Sequence, residues 1–249
     1  MIIALLITLV AGISIIIGAL VGRCAEDSEK FERFSIALAL GALGALLLFH
    51  LGPEIIHHAE DTSWLMQLLF IVAGFVLLKV LDIFVPDHED TQENHDAENA
   101  EHIGFIAAIA LVLHNIIEGM TVYNMSLVEP RQGLVMAIGI ALHNIPLGIM
   151  IYSTLDGHHR MKKLMVLLTV TFSTLFGGIL MVLVSGLITG AIVASLIAVA
   201  TGMVIYIVFL ELVPHVYHTR PLSPYMIAVA IGFVVVLFSS LGGGHAHIH

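Results

Sequence analysis

Eight long apolar stretches dominate this chain, and a soluble fold has no place to bury them all. They run over residues 2–22, 34–56, 64–85, 103–127, 133–155, 162–185, 190–213 and 223–242. Each is near the ~20 residues that an α-helix needs to cross ~30 Å of hydrocarbon. The balance of 59% hydrophobic and 11% charged residues departs in the same direction from a globular domain. The pattern predicts an all-α membrane protein, one integral domain over 1–249 with eight transmembrane helices. The least distinct boundary is the sixth from the seventh, marked only by the turn sequence "SGLITG". The first stretch has no basic leader and exceeds a signal peptide's apolar core, so it reads as a retained span.

Basic residues orient the spans. Arg23, Lys30 and Arg33 fall between spans one and two, Arg160, Lys162 and Lys163 between five and six, and Lys79 and Arg220 on the same side. Only Arg131 falls on the other. The positive-inside rule then places both termini outside the cytoplasm, in a plasma (inner) membrane. Seven of the nineteen acids lie between Asp87 and Glu101, so the net charge of −10 largely reflects one cytosolic loop, 86–102. Nothing basic is clustered as a nucleic-acid surface requires. The single cysteine, Cys24, permits no intrachain disulfide.

Two of the spans carry expensive residues. "LHNIIEGMTVY" begins at Leu113 and "LHNIPLGIMIY" at Leu142, and they share Leu, His, Asn, Ile, Gly and Tyr at matching offsets. His114 lies about 17 Å along span four, near the bilayer centre. His143 lies at a similar depth in the antiparallel span five. His114 and Glu118 are one helical turn apart and share a face, with Asn115 beside them; His143 and Asn144 repeat the pair. Pro146 leaves the carbonyl of Leu142 without its helical partner. Imidazoles, a carboxylate and amide oxygens make a ligand set for a divalent first-row metal, zinc, iron, cobalt or nickel before copper(I). The bland alternative is a hydrogen-bond network that only joins helices.

These segments resemble the signatures of the ZIP (Zrt/Irt-like) family of metal transporters. "HNIIEG" is similar to the family's span-four motif and "HNIPLG" to its span-five motif. "HLGPE" (His50 to Glu54) and "YIVFLELVPH" (Tyr206 to His215) are also familial. The resemblance implies a ZIP-like bundle of eight spans with an inverted repeat, a transport site at His114, Asn115, Glu118, His143 and Asn144, and compatibility with a homodimer. The chain departs from the family pattern at Ile117, where many members have Pro, and at Leu147, where members usually have Glu. In "FSTLFGG" only Ser173 and Thr174 stand where another carboxylate is common. The resemblance thus implies a single metal site, with the second metal of a two-metal centre in question.

Further polar residues mark an entrance and an exit. His50, Glu54, His57 and His58 form a helical stripe at the outer end of span two. Glu211 and His215, four apart, lie at the inner end of span seven. "LFHLGPEIIHH" and "VFLELVPHVYH" are alike and run in opposite directions, which suggests an inverted repeat. The loop around His88, His95 and His102 and the tail "GGGHAHIH" read either as metal buffers or as solvated polar segments.

The expected function is transport of a divalent transition metal, zinc first, towards the cytoplasm; the ion is substrate and no organic cofactor is implied. There is no G-x-x-x-x-G-K-[ST] motif for ATP and no H-E-x-x-H, so an enzyme is not expected. The alternatives are an intramembrane metal-dependent hydrolase or a metal sensor without flux.

Overall fold

The computed structural model describes residues 1–24, 29–57, 62–84, 95–155, 160–187, 189–219 and 221–243. Among them there is no strand. Eight helices follow in order: α1 (Ile2–Cys24), α2 (Glu29–His57), α3 (Trp64–Phe84), α4 (His95–Val128), α5 (Pro130–Thr154), α6 (Arg160–Val184), α7 (Gly190–His218) and α8 (Leu222–Gly243). The first seven are long and apolar enough to cross a membrane, and α8 has 22 residues. The chain is an all-α membrane protein, as expected. Apolar residues such as Leu65, Leu69, Val72 and Val76 on α3 face outward, as side chains facing lipid do.

The boundary between α6 and α7 is a genuine turn. Thr189 caps α7, its hydroxyl accepting the Ile192 N–H at 3.4 Å. One boundary needs correction. The segment expected as loop to residue 102 is helical from His95, so α4 begins within it. The sequence "DAENAE" places acids and alanines in the opening turns, where the helix dipole and intrinsic propensity favour them. Residues 86–94, His88 included, lie outside the described residues, as do His58 and the tail from 244.

Helices α2 and α7 share an irregularity with a clear cause. Pro53 and Pro214 lack an N–H, so a regular ladder cannot close over them. Each is preceded by a π-helical turn, Leu47–Leu51 in α2 and Ile207–Leu212 in α7. The residue before each proline closes its wide turn: Gly52 donates to the Leu47 carbonyl and Val213 to that of Val208.

Glycines set the pairing of helices. A Cβ on Gly18 of α1 would lie 2.2 Å from the carbonyl oxygen of Ile145 on α5, and one on Gly148 of α5 would lie 2.2 Å from that of Ile15 on α1. Only glycine permits such backbone approach. The same reciprocal contact joins α6 to α4 (Gly177 on Ile116, Gly119 on Thr174), α2 to α8 (Gly41 on Val229, Gly232 on Leu38) and α7 to α3 (Gly202 on Ile71, Gly74 on Val199).

This pattern is an inverted repeat written in backbone contacts. The α1–α5 pair matches α6–α4, and α2–α8 matches α7–α3. One constant offset relates Leu38, Gly41, Leu47, Gly52 and Pro53 to Val199, Gly202, Val208, Val213 and Pro214. His50 thereby corresponds to Glu211 and Glu54 to His215.

Among the described residues, no interhelical glycine contact leaves the group α1/α4/α5/α6 or the group α2/α3/α7/α8. Helices α2 and α8 do pack on α5, and α7 on α4, without a glycine seat among the described residues. Ser35 of α2 and Ser153 of α5 hydrogen-bond across this seam.

Candidate metal site

Glu118 lies at the centre of the polar cluster. Its Oε1 is 3.1 Å from His114 Nε2, one turn back on α4, and 3.1 Å from His143 Nε2 on α5. All three side chains are buried, and their ligand atoms lie within 4.8 Å of one another. The two imidazole centroids are 6.2 Å apart and tilted by 50°.

Despite this proximity, His114 Nε2, His143 Nε2 and both oxygens of Glu118 make no well-directed hydrogen bond. Buried polar atoms are seldom left in that state, because desolvation without a partner costs about 1–3 kcal/mol each. Ligand atoms that converge without directed hydrogen bonds to one another suit a metal site.

His50 joins from across the seam. Its Nε2 is 3.9 Å from Glu118 Oε1, and its ring lies 6.3 Å from that of His143. The sequence stripe had placed His50 at the entrance; the fold places it against the buried cluster. A cavity of about 10 Å³ opens there, lined by His50, Glu54, His114, Glu118, Thr121 and apolar neighbours. That space admits about one water-sized guest.

The remaining expected residues are arranged differently. Asn115 is buried and donates its Nδ2 to the Val170 carbonyl on α6 at 3.2 Å, which leaves its Oδ1 without a partner. Asn144 is fully buried with neither amide atom hydrogen-bonded. Leu147 is also fully buried. Ser173 donates to the Val170 carbonyl at 2.7 Å. His57 is exposed at the end of α2, and His215 is half-buried one turn past Glu211 on α7.

Glu211 belongs to a second cluster. Its ligand atom groups with those of Asp82 and His102 within 4.8 Å. Asp82 Oδ1 is 2.6 Å from His102 Nε2, and Asp82 Oδ2 accepts the Tyr206 hydroxyl at 2.6 Å. His102 comes from α4 and the others from α3 and α7, so this cluster also crosses the seam. Asp82 and Tyr206 were not singled out in the sequence. The only signal for Asp82 was an acid set in the apolar run "KVLDIF".

Comparison with known proteins completes the assignment. The family model for ZIP zinc transporters matches residues 86–240, more than half of the chain. This chain belongs to the ZIP zinc transporter family. Its ZIP relatives include the zinc transporter ZupT of Stenotrophomonas maltophilia (strain K279a), 25% identical over 145 residues, covering 53% of this chain and 54% of that protein. ZupT of Chlorobium luteolum (strain DSM 273 / BCRC 81028 / 2530) is 30% identical over 144 residues, covering 50% and 53%. ZupT of Oceanobacillus iheyensis is 26% identical over 149 residues, covering 52% and 55%. The chain spans about half the length of the ZIP relatives it matches.

Proposed function

We propose that this protein carries a divalent transition-metal ion, zinc first, across the cytoplasmic membrane through His114, Glu118 and His143. The observation that carries this reading is the convergence of three buried ligand atoms, without directed hydrogen bonds, from two antiparallel membrane helices. Two imidazoles and one carboxylate suit zinc and its first-row neighbours. Asn115 and Asn144 contribute neutral oxygens beside them. The names of the ZupT relatives point to the same ion.

The bias of basic residues supports extracytoplasmic termini, and transport towards the cytoplasm is part of the same proposal. His50, Glu54 and His57 then lie towards the entrance side. Glu211 and His215 lie on the exit side, where Asp82 and His102 join them as a receiving site. His102 precedes Glu118 by roughly 24 Å of helical rise on α4.

Alternating access fits the glycine pattern. The group α1/α4/α5/α6 carries the three midplane ligands as one rigid body, and α2/α3/α7/α8 forms the other. Glycine seats inside each body, and none between them among the described residues, favour sliding at the seam.

The test is uptake into proteoliposomes containing the purified chain, with zinc, iron, cobalt, nickel, manganese and cadmium in parallel. Zinc uptake by the wild type and its loss in Glu118→Gln is the expected result. Stoichiometric binding without uptake of any ion would overturn transport and favour the sensor or hydrolase.

A further inference from the structure

A dication held by His114, Glu118 and His143 meets one full negative charge within its own helix group. The fold removes the obvious second one: Leu147 is buried at the α5 position that corresponds to Glu118 on α4. An uncompensated charge in a low-dielectric interior is costly. Compensation therefore has to come from elsewhere.

The other wall of the cavity provides it. His50 and Glu54 both line that wall, four residues apart on α2, around the π-turn and Gly52–Pro53. Apolar Leu51, Ile117, Ile197 and Ala200 make up much of the remaining lining, so the charge of Glu54 is only partly screened. We propose that α2 completes the site across the seam, with His50 as a further ligand and Glu54 as the second negative charge. The site is then whole only in the register of the two helix groups seen here.

This inference rests on the transport reading above and adds a mechanism for release. When α1/α4/α5/α6 slides, His114, Glu118 and His143 travel with the ion. His50 and Glu54 stay behind on α2. The travelling ion keeps two imidazoles and one carboxylate, and its affinity falls. Because binding and conformation are linked, the ion stabilises the present register by the same factor that it loses on leaving it. A carboxylate at position 147 would move with the ion and could not produce this difference. A carboxylate on α2 does.

The experiment is zinc affinity of the full chain in lipid nanodiscs, by competition with a chromophoric chelator, with zinc uptake measured alongside. His50→Ala and Glu54→Gln are each expected to weaken binding on the order of 10–100-fold, the range seen when a metal site loses a supporting group. Glu54→Asp, which keeps the charge, is expected to stay near the wild type and guards against a folding artefact. Glu118→Gln serves as the reference for the site itself. Wild-type affinity in both His50→Ala and Glu54→Gln, with binding lost in Glu118→Gln, would overturn the role of α2 while leaving the transport site standing. Equal weakening in Glu54→Asp and Glu54→Gln would overturn the charge argument. Wild-type affinity in Glu118→Gln would sink the underlying reading, and this inference with it.

Discussion

Leu147 holds on α5 the place that Glu118 holds on α4. Each precedes a glycine seated on a neighbouring backbone, Gly148 on the Ile15 carbonyl and Gly119 on that of Thr174. The two helices present the same face of the repeat to the interior of the bundle, one with a carboxylate and one with an isobutyl group. This asymmetry sets the two halves of the repeat apart.

Leu147→Glu is therefore expected to tighten zinc binding by on the order of tenfold. It also buries an acid that has no partner when metal is absent, so the metal-free variant should be less stable and gain more Tm on adding zinc than the wild type. Titration calorimetry and a melting series with and without zinc check both halves. Unchanged affinity would mean that position 147 does not face the ion.

The glycine seats give a stability prediction with an internal control. Gly18→Ala places a Cβ 2.2 Å from a backbone oxygen that cannot move alone, whereas a Cβ on Gly44 meets nothing within 4 Å. Gly18→Ala should cost about 1–3 kcal/mol, as overpacking does, and Gly44→Ala close to nothing. Denaturation in detergent micelles compares them. Equal effects would dismiss the close approach of α1 and α5.

The seam can be locked. Ser35 and Ser153 meet across it, so Ser35→Cys/Ser153→Cys in a Cys24→Ser background should form a disulfide on oxidation. Uptake is expected to stop and to return on reduction, while zinc binding persists. Full uptake by the oxidised protein would rule out sliding at this point.

At the second cluster, Asp82→Asn removes the charge shared by His102 and Tyr206. Uptake should slow severalfold while zinc affinity at the midplane holds, because α3 does not line the cavity beside Glu118. Parallel loss of affinity and uptake would place Asp82 in the same functional unit as Glu118.

Much of this architecture was legible in the sequence, because a bilayer imposes length and apolarity on every span. The repeated "LHNI" segments marked the midplane residues, and His114, Glu118 and His143 do come together. What escaped notice depends on pairing between distant helices. His50 read as part of an entrance stripe, since nothing local reveals that α2 carries it against Glu118. Asp82 was not singled out, for its partners His102 and Tyr206 lie on other helices. Nothing local revealed that π-turns would form ahead of Pro53 and Pro214 and match in register. The start of α4 was placed too late because an acidic, polar stretch suits both a solvated loop and the first turns of a helix.

Where zinc binds is the most direct test of the His114, Glu118 and His143 site. Anomalous scattering at the zinc edge, from crystals of the zinc-loaded chain, locates the ion without reference to activity. The expected result is a peak bounded by His114, Glu118 and His143, at the ~2.0–2.2 Å typical of zinc bound by nitrogen and oxygen, with His50 turned towards it. A peak found only at histidines outside the bundle, with no density beside Glu118, would contradict it.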